Sequence, residues 1–228
     1  MKTPIAVALA FVAAVSVPAH PAPQVRPSEG KPKRLFAPLD LGLLEGSDRE
    51  QWQKPDQIMD ALKIADGSVV AEIGAGGGWF TVRLAHRVNQ NGLVYAEDIQ
   101  PLMLEALKRK LRRENLFNVQ PVLGTTKNSG LPHGLDAILI VGAYHEMEDP
   151  VAVLKDAANS LKPQGRIGIV EYTAGAGGPG PEADRRVDPQ TVVAGAAAAH
   201  LQLIERDTIP PFMFLLVFGK EPAARNSR

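Results

Sequence analysis

The stretch Ser-Val-Val-Ala-Glu-Ile-Gly-Ala-Gly-Gly-Gly-Trp, residues 68–79, decides the fold, because an apolar run stops there at a cluster of glycines. The run over residues 68–73 is typical of a buried strand. The glycines permit a tight turn and let a ligand approach the backbone closely. Residues 79–88 then repeat apolar side chains at helical spacing, so the free amide groups at the start of that helix would point toward the turn. The stretch therefore predicts a strand, a ligand-binding loop and a helix.

Helical and strand-like patterns alternate along the rest of the chain. Further strand-like runs occupy residues 93–96, 119–123, 135–141, 166–170, 201–206 and 212–218, and helical patterns occupy residues 56–64 and 191–199 or begin at Pro101 and Pro150. This alternation predicts an α/β fold with a doubly wound, mostly parallel seven-stranded sheet. The short connection through Pro210 and Pro211 allows a hairpin but no parallel crossover, so we expect a C-terminal antiparallel strand.

Local signals refine this prediction. Pro121 lacks a backbone donor, which favours an edge position for the third strand. Residues 135–141 form the most apolar run, so we expect this fourth strand at the centre. Asp149 precedes Pro150 as a capping residue. Residues 162–165, Lys-Pro-Gln-Gly, predict a turn before the fifth strand.

The two ends of the chain differ in composition from its middle. Residues 1–22 combine one lysine, an apolar run over residues 5–17 and a region of small residues, which is the pattern of a cleaved export signal. The run is shorter than the roughly 20 residues of a membrane span, so we expect no stable membrane insertion after cleavage. We assign residues 23–48 to a linker, 49–221 to the folded domain and 222–228 to a disordered tail. This organisation predicts an exported, periplasmic protein, or a cytoplasmic one if the signal does not function.

Composition excludes several classes of function. Lys plus Arg and Asp plus Glu both number 25, so no net field attracts nucleic acid and we expect no nucleic-acid partner. The basic run at residues 108–113 is typical of the solvated face of a helix. The absence of cysteine excludes disulfides, thiolate metal sites and a cysteine nucleophile. The oligomeric state stays open.

Spacing separates the ligands that the glycine loop could bind. A dinucleotide fingerprint needs glycine at its sixth position, which is Trp79 when counting from Gly74. A triphosphate-binding loop would end in glycine, lysine and serine or threonine, and this loop does not. Asp98 ends the next strand about twenty residues further on, where a carboxylate can accept hydrogen bonds from ribose hydroxyls. The pattern favours an adenosine compound that is not a dinucleotide.

Three segments resemble the class I S-adenosylmethionine-dependent methyltransferases. They are Val-Val-Ala-Glu-Ile-Gly-Ala-Gly-Gly-Gly at residues 69–78, Val-Tyr-Ala-Glu-Asp-Ile at residues 94–99 and Leu-Lys-Pro-Gln-Gly at residues 161–165. Tyr144, His145 and Glu146 after the fourth strand are similar to a triplet in small exported or bacterial members. The resemblance implies a Rossmann-like methyltransferase fold, S-adenosylmethionine as cofactor and a methyl acceptor that the sequence does not identify.

The resemblance also implies roles for individual residues. Glu72 would help hold the methionine end of the cofactor, Asp98 would accept the ribose hydroxyls, and Ile99 would lie against adenine. Further cofactor-binding positions implied are Gly74, Ala75, Gly76, Gly78, Thr125 and Gly142. The family often carries an acid after the third strand near the adenine amino group, whereas this chain has Gly-Thr-Thr-Lys-Asn at residues 124–128. Asn128 or a backbone carbonyl could take that place.

Catalysis of methyl transfer depends mainly on aligning a nucleophile with the methyl group. A hydroxyl or acidic-carbon acceptor would also need a base. His145 is the first candidate, since histidine titrates near neutrality, although a packed histidine would explain it equally well. Tyr144 is the second candidate or a pocket residue, and Glu171 and Tyr172 could face the acceptor. The fourth strand ends without an aspartate, so we expect no metal.

Other interpretations stay open at this stage. The leading hypothesis is methyl transfer to a small-molecule acceptor, because no large insertion or basic groove suggests a macromolecule. A non-catalytic adenosine-ligand binding protein of the same fold is the alternative, and an NAD(P)-dependent oxidoreductase is disfavoured by Trp79. The segment around Trp52 could cover the cofactor as a lid or simply anchor the chain to the domain.

Overall fold

A computed structural model describes residues 35–175 and 177–221 of this chain. Seven strands form one sheet in the order β3-β2-β1-β4-β5-β7-β6. The elements in chain order are α1 (Arg49–Gln53), α2 (Pro55–Ala61), β1 (Val69–Ile73), α3 (Trp79–Val88), β2 (Leu93–Asp98), α4 (Pro101–Arg113), β3 (Val119–Leu123), β4 (Leu135–Val141), α5 (Pro150–Ser160), β5 (Leu161–Tyr172), α6 (Pro189–Ala198), β6 (Leu201–Ile209) and β7 (Met213–Lys220). The predicted α/β fold with a mostly parallel seven-stranded sheet is confirmed.

The order of the strands creates one switch point, between β1 and β4. From β1 the chain proceeds outward through β2 and β3, then returns to place β4 on the other side of β1, and all these pairs are parallel. In such sheets the loops leaving the two central strands diverge and open a crevice beyond their carboxyl ends. The loops after β1, β2, β4 and β5 therefore surround the crevice.

The C-terminal hairpin completes the sheet as predicted. β7 lies between β5 and β6 and is antiparallel to both. β3, with Pro121, forms one edge of the sheet, and β4 lies at its centre, so both positional predictions are confirmed. The Asp149 side chain caps α5 by accepting a hydrogen bond from the Ala152 backbone N–H at 3.0 Å.

The predicted turn at residues 162–165 is wrong in detail. β5 begins at Leu161, and its pairing with β4 steps from Leu135–Leu161 to Ala137–Arg166. The intervening residues bulge out of the ladder, and the Lys162 ammonium donates to the Asp136 carboxylate at 2.6 Å. The proline and glycine of this segment thus shape a bulge inside a strand rather than a turn before it.

Helices cover both faces of the sheet. One face packs against α2 and α3 through residues such as Ile58 and Phe80, and the other packs against α5 and α6 through residues such as Leu154 and Val192. Leu139 and Ile138 alternate between these faces and are fully buried. Each such side chain contributes roughly 1.5–3 kcal/mol of hydrophobic stabilisation. This two-sided burial holds the strand ends of the crevice in place.

Several predicted segments fall outside the described residues. They are the signal at residues 1–22, the first part of the linker up to residue 34 and the tail at residues 222–228, which all stay predictions. Within the described ranges, no helix has the length and apolar character needed to cross a membrane.

Candidate functional site

The glycine loop after β1 adopts backbone conformations that favour glycine. Gly74, Gly76 and Gly78 have φ values of 77°, 53° and 86°. A Cβ on Gly74 would lie 2.5 Å from the Ala143 Cβ, and one on Gly78 would lie 2.3 Å from Leu107 Cδ1. These two glycines let the loop approach the β4 loop on one side and α4 on the other. A Cβ on Gly76 would meet nothing within 4 Å, so the middle of the loop faces open space.

Asp98 meets this loop from the end of β2. Its Oδ2 accepts the Gly76 N–H at 2.9 Å, and its Oδ1 accepts the Gln100 N–H at 2.8 Å. Burial raises the pKa of the Asp98 carboxyl, and the hydrogen bonds from Gln100 and Gly76 lower it. A direct hydrogen bond thus joins the glycine loop to Asp98, the two features on which the sequence-based prediction of the site depends most.

Two other acids lie buried close to the loop. Burial raises the pKa of Glu72 to about 8, against the opposing hydrogen bond that the Thr81 hydroxyl donates to Glu72 Oε2 at 2.5 Å. Burial, followed by the charge of Asp98, also raises the pKa of Glu97 to about 8. The Glu97 carboxyl accepts the Gly74 N–H at 3.3 Å and lies against Gly124, where a Cβ would clash with it. Both carboxyl groups are therefore mainly protonated at neutral pH.

The remaining predicted cofactor positions lie around the same end of the sheet. Ile99 follows Asp98 and is half-buried. Thr125 is exposed and its hydroxyl bonds the Asn128 backbone within the turn after β3. Gly142 has φ 61° and follows β4, and a Cβ there would lie 3.4 Å from Tyr172 Cε2. The structure brings Ile99 next to Asp98, and it holds Thr125 in a turn of its own.

The predicted catalytic residues lie on a 3-10 turn, Tyr144–Glu146. His145 Nδ1 lies 3.1 Å from Glu171 Oε2, and the His145 backbone N–H donates to Glu171 Oε1 at 3.1 Å. The other ring nitrogen, Nε2, lies 3.6 Å from Glu146 Oε1. The His145 side chain is 4% exposed and that of Glu171 is fully buried. His145 is thus clamped between two carboxylates, an arrangement that orients its ring.

Tyr144 occupies a different environment from its neighbour. Its ring belongs to the core between the sheet and α5 and α6, and its hydroxyl lies against Gly195 of α6. Burial raises the pKa of Tyr144 to about 12, with a further contribution from Glu171. Its hydroxyl therefore faces α6 rather than the glycine loop.

The segment before α1 crosses the same end of the sheet, a feature that sequence reasoning missed. Residues 35–48 fall in the predicted linker, and they include a 3-10 helix at Pro38–Leu44. The Phe36 N–H donates to Glu146 Oε2 at 2.8 Å, and the Phe36 carbonyl accepts from Gln100 Nε2 at 3.0 Å. Leu41 lies against Gly77. This strap, residues 35–48, therefore touches the loops after β4, β2 and β1. No local sequence pattern predicts contacts between residues so far apart in the chain.

Trp52 packs among aromatic residues at the β5 and β7 ends. Its ring centroid lies 6.5 Å from that of Tyr172 and 6.1 Å from that of Phe212. These contacts, which attach the chain to the domain, favour the anchoring interpretation of Trp52 over the lid. The contacts with the loops after β1, β2 and β4 are made by the strap that precedes it.

Comparisons with known proteins identify the fold. Residues 70–165, from β1 to the bulge of β5, match a family model described as a methyltransferase domain. A structure of an S-adenosylmethionine-dependent methyltransferase from Aquifex aeolicus superposes with a TM-score of 0.77 at 21% identity, covering 81% of this chain and 98% of that one. The chain has a Rossmann-like methyltransferase fold.

Two further comparisons place this methyltransferase fold among its relatives. An uncharacterized methyltransferase of Mycobacterium tuberculosis is 33% identical over 138 residues, which cover 59% of this chain and 53% of that protein. A demethylmenaquinone methyltransferase of Lactobacillus johnsonii is 30% identical, with 58% and 52% covered. The chain therefore spans about half the length of these curated relatives.

A phosphoethanolamine N-methyltransferase of Haemonchus contortus, solved in complex with S-adenosyl-L-methionine, shares the fold. It superposes with a TM-score of 0.62 at 14% identity, over 75% of this chain and 53% of that one. The family match, the relatives and this fold together support a methyltransferase domain.

Proposed function

We propose that this protein transfers a methyl group from S-adenosylmethionine to a small-molecule acceptor. The observation that carries the proposal is the hydrogen bond between Gly76 and Asp98 across the open middle of the glycine loop. It places a carboxylate with free lone pairs beside backbone that has no side chain in the way. An adenosine fits such a site, because its ribose offers two hydroxyl donors and needs close approach to the backbone.

Within this proposal the loop and its neighbours hold the cofactor. Asp98 would accept the ribose hydroxyls, Ile99 would lie against adenine, and Gly74, Ala75, Gly76 and Gly78 would leave room for the ligand. Glu72 lies near the end of β1, where it accepts the Thr81 hydroxyl and so joins β1 to α3 on either side of the loop. S-adenosylmethionine supplies a methyl group on a sulfonium sulfur, which keeps the bonding electron pair when the carbon moves to the acceptor.

The protein's contribution to the chemistry would be alignment and, for a hydroxyl acceptor, removal of a proton. His145 is the base in this proposal. Glu171 fixes its Nδ1, as the orienting carboxylate does in catalytic triads, so Nε2 is the nitrogen that would take the proton. Because Nε2 now faces Glu146, an acceptor would have to displace the Glu146 carboxylate to reach it.

Binding measurements separate this proposal from an oxidoreductase. We expect S-adenosylhomocysteine to bind the full chain by isothermal titration calorimetry and NAD to give no heat. Trp79 opposes NAD, because this buried indole at the start of α3 fills the position where a dinucleotide fold needs a glycine. Formation of S-adenosylhomocysteine with a panel of small hydroxyl, amine and thiol acceptors then separates an enzyme from a binding protein that retains the cofactor without turnover.

The variant Asp98→Ala tests the carboxylate directly. Loss of its charge-assisted hydrogen bonds should weaken S-adenosylhomocysteine binding by about 1–3 kcal/mol. Asp136→Ala is the matched control, because Asp136 also accepts a backbone N–H at 2.9 Å, from Val69, but at the opposite end of the sheet. Equal affinity of folded Asp98→Ala and the wild type would refute the proposed role.

A further inference from the structure

Arg49, the first residue of α1, carries a positive charge to the β1 side of the crevice. Its Cζ lies 4.2 Å from the centroid of the Trp79 ring, which follows the glycine loop directly. Its Nε donates to Gln53 Oε1 and one terminal nitrogen donates to the Leu44 carbonyl, both at 2.5 Å. The guanidinium is therefore held in one orientation by α1 and the strap, with donors to spare for a further partner.

The charge of Arg49 has no carboxylate bonded to it among the described residues. Both hydrogen-bond acceptors named above are neutral oxygen atoms. Burial lowers the pKa of the Arg49 guanidinium, whereas Tyr172, Glu72 and Glu45 raise it and Arg83 lowers it further. Glu72 and Glu45 act on this charge only from a distance, since neither carboxyl is hydrogen-bonded to the guanidinium. Burying a cation without a counter-ion is costly. An anionic ligand bound beside Arg49 would offset this cost.

The position of Arg49 relative to Asp98 indicates which anion would bind there. Asp98 stands on the β2 side of the glycine loop, whereas Arg49 lies over Trp79 and is influenced by Tyr172 at the end of β5. A ligand whose ribose binds Asp98 and crosses the loop toward β4 therefore extends its other end toward Arg49. In S-adenosylmethionine that other end is an amino acid, which carries a carboxylate.

We propose that Arg49 binds the carboxylate of the methionine end of the cofactor. The inference rests on the proposed function and adds to it a residue that lies outside the glycine and acidic motifs. Because Arg49 is anchored to the Leu44 carbonyl, it also couples the strap to the ligand. A guanidinium suits this role, since its planar fork can bond a carboxylate with two parallel hydrogen bonds.

Arg83 offers a matched control on the same aromatic ring. Its Cζ lies 3.4 Å from the Trp79 ring centroid, but its terminal nitrogens bond the Trp79 carbonyl at 2.8 Å and the Glu50 carboxylate at 2.9 Å. Its charge is thus already paired at the surface. Arg83→Met removes a cation from Trp79 without removing the proposed anion site.

The experiment compares two ligands that differ at the amino-acid end. S-adenosylhomocysteine carries the carboxylate, whereas 5′-methylthioadenosine keeps the adenosyl thioether and lacks the amino acid. Arg49→Met should weaken S-adenosylhomocysteine roughly 10- to 100-fold, the effect of losing a charge-assisted pair, and change the affinity for methylthioadenosine less than about 3-fold. Arg49→Lys should give an intermediate loss for the first ligand, because an ammonium keeps the charge without the fork. Arg83→Met should change neither affinity more than about 3-fold.

Each other outcome has a defined meaning. Equal losses for both ligands in a folded Arg49→Met protein would show a structural role and overturn the inference, as would unchanged affinity for both. An unchanged S-adenosylhomocysteine affinity with a raised KM for an anionic acceptor would assign Arg49 to the acceptor instead. If the wild type binds neither ligand, the proposed function itself fails, whatever Arg49 does. Should Arg49→Met not fold, Arg49→Lys alone decides through the same ratio of the two ligand affinities.

Discussion

The β1–β2 side and the β4–β5 side of the crevice are built in different ways. On the β1–β2 side the key contacts join the Gly74 and Gly76 N–H groups of the glycine loop to the carboxyl groups of Glu97 and Asp98 at the end of β2. On the β4–β5 side they join side chains from two segments, His145 and Glu146 of the turn after β4 and Glu171 of β5, in a buried cluster. The first side is open, because a Cβ on Gly76 would meet no atom within 4 Å, whereas the polar groups of the second side are buried against one another.

This difference predicts that the two sides respond differently to substitution. A closed cluster of buried polar groups stabilises the fold while every partner is present, and it fails when one is removed. The hydrogen bond between an open loop and an acid contributes little to stability on its own. We expect its contribution to appear in the ligand affinity instead. Three changes test this contrast in the unfolding free energy, beginning with the largest expected effect.

The largest effect is expected on the β4–β5 side, from Glu171→Ala. The substitution leaves the His145 backbone N–H and ring without their acceptor in a buried place, so we expect a loss of about 3–5 kcal/mol of unfolding free energy in urea. Glu171→Gln keeps an acceptor oxygen and serves as the control, with a smaller loss of about 1–2 kcal/mol. A loss below about 1 kcal/mol for Glu171→Ala would mean that the cluster does not hold this side together.

The next effect concerns the glycines on the β1–β2 side. Gly78→Ala adds a Cβ 2.3 Å from Leu107 Cδ1 at a φ of 86°, so strain and overpacking should together cost roughly 2–4 kcal/mol. Gly76→Ala has φ 53° and no atom within 4 Å of the added Cβ, so it should cost only about 1 kcal/mol. Thermal and urea unfolding measure both. Equal losses for the two variants would show that the close packing of Gly78 against α4 is unimportant.

The last effect is a slope in stability with pH, which per pH unit is smaller than the loss expected from Glu171→Ala or Gly78→Ala. Glu72 and Glu97 keep their protons up to a pKa of about 8 in the fold, whereas the unfolded chain releases them near 4.5. The folded state therefore binds more protons between these values, so their contribution is fully present below about pH 4.5 and is lost as pH rises toward 8. Glu72→Gln mimics the neutral acid and should remove up to about 1.4 kcal/mol per pH unit of that loss. Parallel stability curves of variant and wild type between pH 5 and 8 would contradict the account.

How well the sequence predicts a feature depends on whether local patterns or distant contacts determine it. The sheet, its centre, its edge at Pro121 and its C-terminal hairpin follow from local apolar runs and proline positions, which act over a few residues. Asp98 beside the glycine loop was predictable because β1 and β2 are neighbours and both contributions come at strand ends. The bulge at residues 162–165 was missed, since a Pro-Gln-Gly segment supports a turn or a bulge equally and only the pairing with β4 decides.

The rest of the site depends on contacts that no local pattern contains. His145 and Glu171 were each expected near the acceptor, but their bond requires the pairing of β4 and β5 to place the end of β5 against the turn after β4. The strap is a stronger case, because the bond from Phe36 to Glu146 joins residues 110 positions apart. We assigned that segment to a linker, whereas in the structure its contacts with three loops attach it to the domain.

The central claim is that the glycine loop and Asp98 form an adenosine site, and a crystal structure of the full chain with S-adenosylhomocysteine tests it most directly. The account predicts ribose hydroxyls within hydrogen-bonding distance of the Asp98 carboxylate, with the ligand chain crossing Gly76. Ligand bound at another surface, or no ligand at the glycine loop at a saturating concentration, would contradict it.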